Sequence, residues 1–319
     1  MPSSRDILAR HAATLQGHLK QRWMQSHSLG IRKSFYVYEP PGIEHLTALP
    51  VVYLFRGHER EWVNFAEDTS RQHSTAIEDI DHWISAGQLP PMLVVMPGLT
   101  SSNNHVPSLG IDMPVPPTGG LDGLGTGRFW AFLNEDLFGR VACDYPQTSG
   151  GQRLAAGFSL GGYTVSLLAI HRPGYFNHAA MYDGLFMWPG HCDPREEGKG
   201  ETDPIWRHSA LFDTALGNPR NAEALRIWNP TDTLKRADAQ RLRELKRTVF
   251  WIASADADGQ FGNRDRSRYF GRLVRSKGLR LGFDSAVFHP DAAHNWHWTD
   301  RFLIRFLREA LANEVSVPL

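Results

Sequence analysis

The sequence predicts an α/β fold, in which helices alternate with the strands of a mostly parallel sheet. Three observations carry this expectation. Short apolar and β-branched runs at residues 51–55, 92–96 and 248–253 read as interior strands, and helical patterns lie between them. A Gly-x-Ser-x-Gly motif at residues 157–161 joins an apolar run to a helical one. Finally, two segments rich in Asp and His, 254–259 and 289–297, each follow a strand candidate, where an open parallel sheet gathers its loops.

Taken in order, Leu8, Ala12, Leu15 and Leu19 lie at helical spacing, which predicts a docked surface helix and makes residues 1–30 a helical extension to a single domain over 31–319. Residues 34–38 and 51–55 are aromatic and β-branched strands, bounded by Pro40, Pro41, Gly42 and Gly57. Ile77, Ile80 and Ile84 share one face of a helix over 73–86, which leads to the strand at 92–96. Residues 97–127 are rich in Gly, Pro, Ser and Asn, too long for a simple connection, and are expected to wall a pocket. Phe129, Phe132, Leu133 and Leu137 then mark a helix. After the Ser motif, 178–182 is a strand candidate, and 183–230, with Trp188, Trp206 and Trp228, is an irregular cap. A helix over 266–277, a strand over 281–288 and a last helix over 299–312 complete the chain.

Composition excludes several function classes. Lys plus Arg and Asp plus Glu are 34 each among 319 residues, so no electrostatic footprint for nucleic acid or an anionic membrane is present. Cys143 and Cys192 make no disulfide framework. With neither a signal-like apolar core nor a bilayer-length run, the expectation is a soluble, cytoplasmic protein.

A serine hydroxyl at neutral pH needs an imidazole to take its proton and a carboxylate to hold that imidazole in the right tautomer. Gly157 and Gly161 flank Ser159 at the two positions where a sharp strand-to-helix turn needs minimal side chains, so Ser159 is the candidate nucleophile. Chain order in such sites is Ser, then acid, then His. Asp256 and Asp258 stand on the loop after 248–253, and His289, His294 and His297 on the loop after 281–288. The His spacing is not a strong metal signature, and Asp122 and Asp183 read as loop and turn residues.

With these residues in view, the chain resembles the esterase-D-like branch of the α/β-hydrolases, which includes S-formylglutathione hydrolases, feruloyl and enterochelin esterases and mycolyltransferases. The likeness spans roughly residues 32–312. It rests on the strand 51–55 with Arg56 and Gly57, on 129–137, on Gly157 to Gly162, on Asp258-Gly259 and on 294–298, His-Asn-Trp-His-Trp. The resemblance implies an α/β-hydrolase fold and a serine esterase acting through Ser159, His294 and Asp258 without a cofactor, on a small-molecule ester or thioester. It also implies oxyanion donors at the backbone N–H of Leu160 and of His58. In the family His or Asp commonly precedes the glycine at 57; here it is Arg56, which with Trp298 is a candidate substrate contact. An acyltransferase using the same triad, and a non-catalytic binding protein of the same fold, are the alternatives.

Overall fold

The computed structural model describes residues 2–71, 74–118, 121–191, 208–256, 262–283 and 287–312. Its centre is an eight-stranded sheet in the order β1-β2-β4-β3-β5-β6-β7-β8. The strands are β1 (His18–Gln25), β2 (Arg32–Glu39), β3 (Val51–Phe55), β4 (Leu93–Pro97), β5 (Arg153–Phe158), β6 (His178–Tyr182), β7 (Val249–Ala253) and β8 (Arg280–Leu281). β2 runs antiparallel to both its neighbours, and from β4 to β8 every pairing is parallel. All five residues of β3 and of β4 are buried, as a continuous apolar run between two helical layers requires.

Side chains alternate between the two faces with the period of a strand. Val51, Tyr53 and Phe55 enter one core with the helical segment 129–144, which comprises α3 (Phe129–Ala131), a π turn (Phe132–Leu137) and α4 (Phe138–Asp144). That core also takes in α5 (Leu160–His171), α6 (Ser209–Leu216), α7 (Ala222–Trp228), α8 (Pro230–Lys235), α9 (Ala239–Leu245) and α10 (Asn263–Ser276). Val52 and Leu54 enter the opposite core with α1 (Ser4–Thr14), α2 (Ala76–Ser85) and α11 (Trp296–Ala310). The expected cap at 183–230 thus contains α6 and α7 among its described residues, with Trp188 and Trp228 buried in the fold; Trp206 and Cys192 lie outside the described residues.

Two expectations are corrected. The N-terminal helix does not continue to Leu19, because the Asp81 carboxylate takes the N–H groups of Gln16 and Gly17 at 2.8 Å each and ends it. His18–Gln25 is instead the sheet's edge strand, so residues 1–30 are not a helical extension. Lys20 and Arg22 reach Glu39 across that edge, the kind of charge that blunts unwanted strand pairing. The strand expected over 281–288 is reduced to β8 and a bridge between Ser254 and Val287, with 284–286 outside the described residues.

Two half-buried histidines give the fold an acid sensitivity. Burial pushes His171, held between Trp130 and Trp228, and His178, beside Trp251, each down to about 4. The unfolded chain takes up these protons first, near an ordinary value of about 6.5, so stability present above that pH is lost as pH falls toward 4. His171→Phe keeps the ring and removes the proton site. Its melting temperature should fall less steeply than wild type between about pH 6.5 and 4 in a thermal denaturation series; parallel slopes would contradict the assignment.

Candidate active site

Ser159 stands between the last residue of β5 and the first of α5, at φ 54° and ψ −114°. A positive φ at a residue with a side chain costs on the order of 1–3 kcal/mol and persists only where the surroundings enforce it. Here the Ser159 N–H donates to Tyr182 O at 3.1 Å, and its carbonyl accepts from Tyr163 and Leu185 at 3.2 and 3.1 Å. The flanking glycines admit no side chain: a Cβ on Gly157 would lie 2.2 Å from Gly161 O, and one on Gly161 would lie 1.9 Å from Phe55 O. Strand, helix and β3 therefore meet at van der Waals limit around the serine. Leu160 opens α5, so its N–H has no partner within the helix and faces the serine's surroundings at a positive dipole end.

The next strand end supplies a carboxylate. Asp183 directly follows β6, has φ 47° and is 1% exposed. It accepts from Ala255 N–H at 3.1 Å and from the Asn263 side-chain amide at 3.0 Å, and its Oδ2 makes a short hydrogen bond to His294 Nδ1. His294, from the loop before α11, lies with its ring centroid 4.6 Å from that of Phe158, the residue preceding Ser159. Asp183 is thus more than a turn residue: its positive φ turns a buried carboxylate onto the imidazole. Asp256 is elsewhere, in a half-exposed ion pair with Arg264 at 2.6 Å, and Asp258 lies outside the described residues. The signal in the sequence was Asp183's place at the carboxyl end of β6, the strand paired in parallel with β5.

Ser159, Leu160 and His294 line one cavity of about 350 Å³ together with Arg56, Glu61 and Leu185. Thr100, Asn104, His105 and Pro107 form part of its wall, as expected of the 97–127 loop. The His58 N–H differs from expectation: it donates to Glu61 Oε2 at 2.7 Å, and the Gly57 N–H donates to the same oxygen at 2.8 Å. A carboxylate four residues beyond Gly57 folds back because the turn at 58–61 is closed by Glu61 N–H to His58 O. Burial pushes the Glu61 carboxyl up, while Arg56 opposes that rise. Trp298 is also corrected: it belongs to α11, stacks on His289 at 4.9 Å and lines a separate groove with Phe288 and Arg301. Arg56 does face the serine's cavity.

A family model described as "Putative esterase" matches residues 26–308. Among solved structures, the chain is similar to a ferulic acid esterase (17% identity, TM-score 0.67, covering 95% of this chain and 100% of that one). It is also similar to an S-formylglutathione hydrolase from Agrobacterium tumefaciens (16%, TM-score 0.60, 94% and 95%). A third likeness is to a fluorophosphonate-binding serine hydrolase of Staphylococcus aureus (14%, TM-score 0.61, 94% and 99%). Nothing among the curated proteins matches the chain. The mostly parallel sheet with helices on both faces is the α/β-hydrolase fold.

The packing at the turn gives a direct test. Gly161→Ala places a methyl against the Phe55 carbonyl, a backbone group, with no flexible side chain to yield. The expected loss is about 3 kcal/mol or more in urea unfolding, the upper range for overpacking; a loss under about 1 kcal/mol would show that β3 and α5 are less tightly joined than described.

Proposed function

The chain belongs to the esterase family matched over residues 26–308 and is a carboxylic ester hydrolase; from that premise we propose that Ser159, His294 and Asp183 carry the reaction as nucleophile, base and orienting acid. The observation that supports this reading best is the hydrogen bond between the buried Asp183 carboxylate and His294 Nδ1, made in the cavity that Ser159 also lines. With Nδ1 bound to a carboxylate, the Nδ1–H tautomer is favoured and Nε2 is left as the proton acceptor.

In the proposed sequence Ser159 Oγ attacks the ester carbonyl while His294 Nε2 takes its proton. The carbonyl oxygen becomes an oxyanion, which the Leu160 N–H receives at the N-terminus of α5. Collapse expels the alcohol, protonated by His294, and leaves an acyl-serine. Water then attacks that acyl group with His294 again as base, and the carboxylic acid leaves as Ser159 regains its proton. Asp183 keeps its hydrogen bond to Nδ1 throughout and stabilises the imidazolium in each half-reaction. Acyl transfer of this kind requires no redox or group-carrying cofactor. The substrate is a small ester that fits a cavity of about 350 Å³.

The test is a mutational series on a short-chain activated ester, read beside labelling by a fluorophosphonate probe. Ser159→Ala should abolish both labelling and turnover while leaving the fold intact, a loss on the order of 10⁴-fold or more. Asp183→Asn should keep the side chain's shape, favour the wrong imidazole tautomer and lower kcat by about 10³ to 10⁴. Asp256→Asn and Asp258→Asn should stay within a few-fold of wild type. A large loss at Asp258 with Asp183→Asn near wild type would reassign the acid to residue 258.

A further inference from the structure

The loop after β3 holds an arrangement that the esterase reading does not use. Two backbone N–H groups at the end of this strand, those of Gly57 and His58, point at one oxygen of Glu61. A carboxylate oxygen accepting two backbone amides occupies the place of the oxyanion that forms on an ester carbonyl. Glu61 is 6% exposed and lines the same cavity as Ser159 and Leu160. Its backbone is pinned, since Arg71 Nη1 donates to Glu61 O at 2.6 Å and Arg71 is itself held by Asp300 at 2.8 and 2.9 Å. Any movement of its carboxylate is therefore a side-chain rotation into the cavity.

Arg56 lines the same cavity as Glu61, and its positive charge opposes the rise that burial imposes on the Glu61 carboxyl. Arg56 is half-buried, its guanidinium lies 5.1 Å from the centre of the Phe158 ring, and its Nε is buried with no hydrogen-bond partner among the described residues. A guanidinium with an unmade Nε hydrogen bond in the cavity that Ser159 lines suits a carboxylate, which a guanidinium can grip with two parallel donors. Once a ligand carboxylate binds Arg56, the buried Glu61 loses its compensating charge and gains a like-charged neighbour, and its hold on the two amides becomes costly.

Resting on the serine-esterase reading, we propose that Glu61 is an internal occupant of the oxyanion site, and that the favoured substrates are esters carrying a second, anionic group that takes Arg56 from it and frees the Gly57 and His58 amides. Specificity then arises by negative selection as much as by attraction, because a neutral ester must displace Glu61 with nothing offered to Arg56. This accounts for Arg at position 56 and a carboxylate at position 61 within one tight loop.

The experiment compares kcat/KM for matched pairs of esters. One pair is mono-4-nitrophenyl adipate against 4-nitrophenyl hexanoate, with the charge in the acyl part. The other is the hexanoyl ester of 4-hydroxybenzoate against that of its methyl ester, with the charge in the alcohol part. Wild type should favour the anionic member of at least one pair by about tenfold or more, the range that charge-assisted hydrogen bonds supply. Glu61→Ala should raise kcat/KM for the neutral esters by about tenfold, as a blocked donor pair becomes available. Glu61→Gln keeps the side chain's size and loses its charge, so it folds as the parent does and should give a smaller gain of the same sign. Arg56→Gln should bring the anionic-to-neutral ratio close to one. The inference is overturned if neither pair shows an anionic preference in wild type, or if both Glu61 variants lower turnover of the neutral esters. Fluorophosphonate labelling separates the two levels: labelled Ser159 with either of those results sinks only this inference, whereas no label and no turnover of any ester sinks the serine-esterase reading and this inference with it.

Discussion

The hydrogen bond from His294 Nδ1 to the Asp183 carboxylate is the constraint on which the rest of the site depends. It joins the end of β6 to the loop before α11, two segments far apart in the chain, and it sets which imidazole nitrogen faces the serine's cavity. Asp183 can serve because it is buried and nearly saturated: the Ala255 N–H and the Asn263 amide take other acceptor directions, and Asn263 is in turn held by Arg266. A carboxylate held by several donors has little freedom to turn away.

The opposite wall is fixed by a second charge pair. Arg71 meets Asp300 of α11 with two parallel hydrogen bonds and donates to the carbonyls of Glu61 and Asn64, so the loop after β3 and the helix after His294 move as one unit. Asp68 and Ser70 add bonds to the N–H groups of Trp296 and His297 at 3.0 Å each, satisfying donors in the first turn of α11. Ser159, His294 and the amides of Gly57 and His58 thus rest on strand ends and braced loops, an arrangement that limits the misplacement to which catalytic sites are sensitive.

Much of this was legible in the sequence, and the parts that were not share a physical cause. β3, β6 and the elbow at Ser159 could be placed because local patterns determine them: a continuous apolar run, and two glycines at positions where a Cβ has no room. The edge strand β1 was hidden because its helical spacing is real but is overridden by Asp81, a residue more than sixty positions away that captures the turn's amides. Asp183 was read as a turn residue because it is one; its role comes from sheet order, which sets β6 beside β5 and brings its end to His294. The Glu61 contact was invisible for a related reason. Sequence shows an acid near a glycine, while only the loop's fold shows where the carboxylate points.

That Asp183 orients the base activating Ser159, as proposed, is tested most directly by a crystal structure of the enzyme inactivated with a fluorophosphonate. The expected result is a covalent bond from Ser159 Oγ to phosphorus, a phosphonyl oxygen accepting from the Leu160 N–H, and His294 Nδ1 still bonded to Asp183. A His294 turned from Asp183 toward a carboxylate at residue 258, or an adduct on any residue other than Ser159, would contradict it.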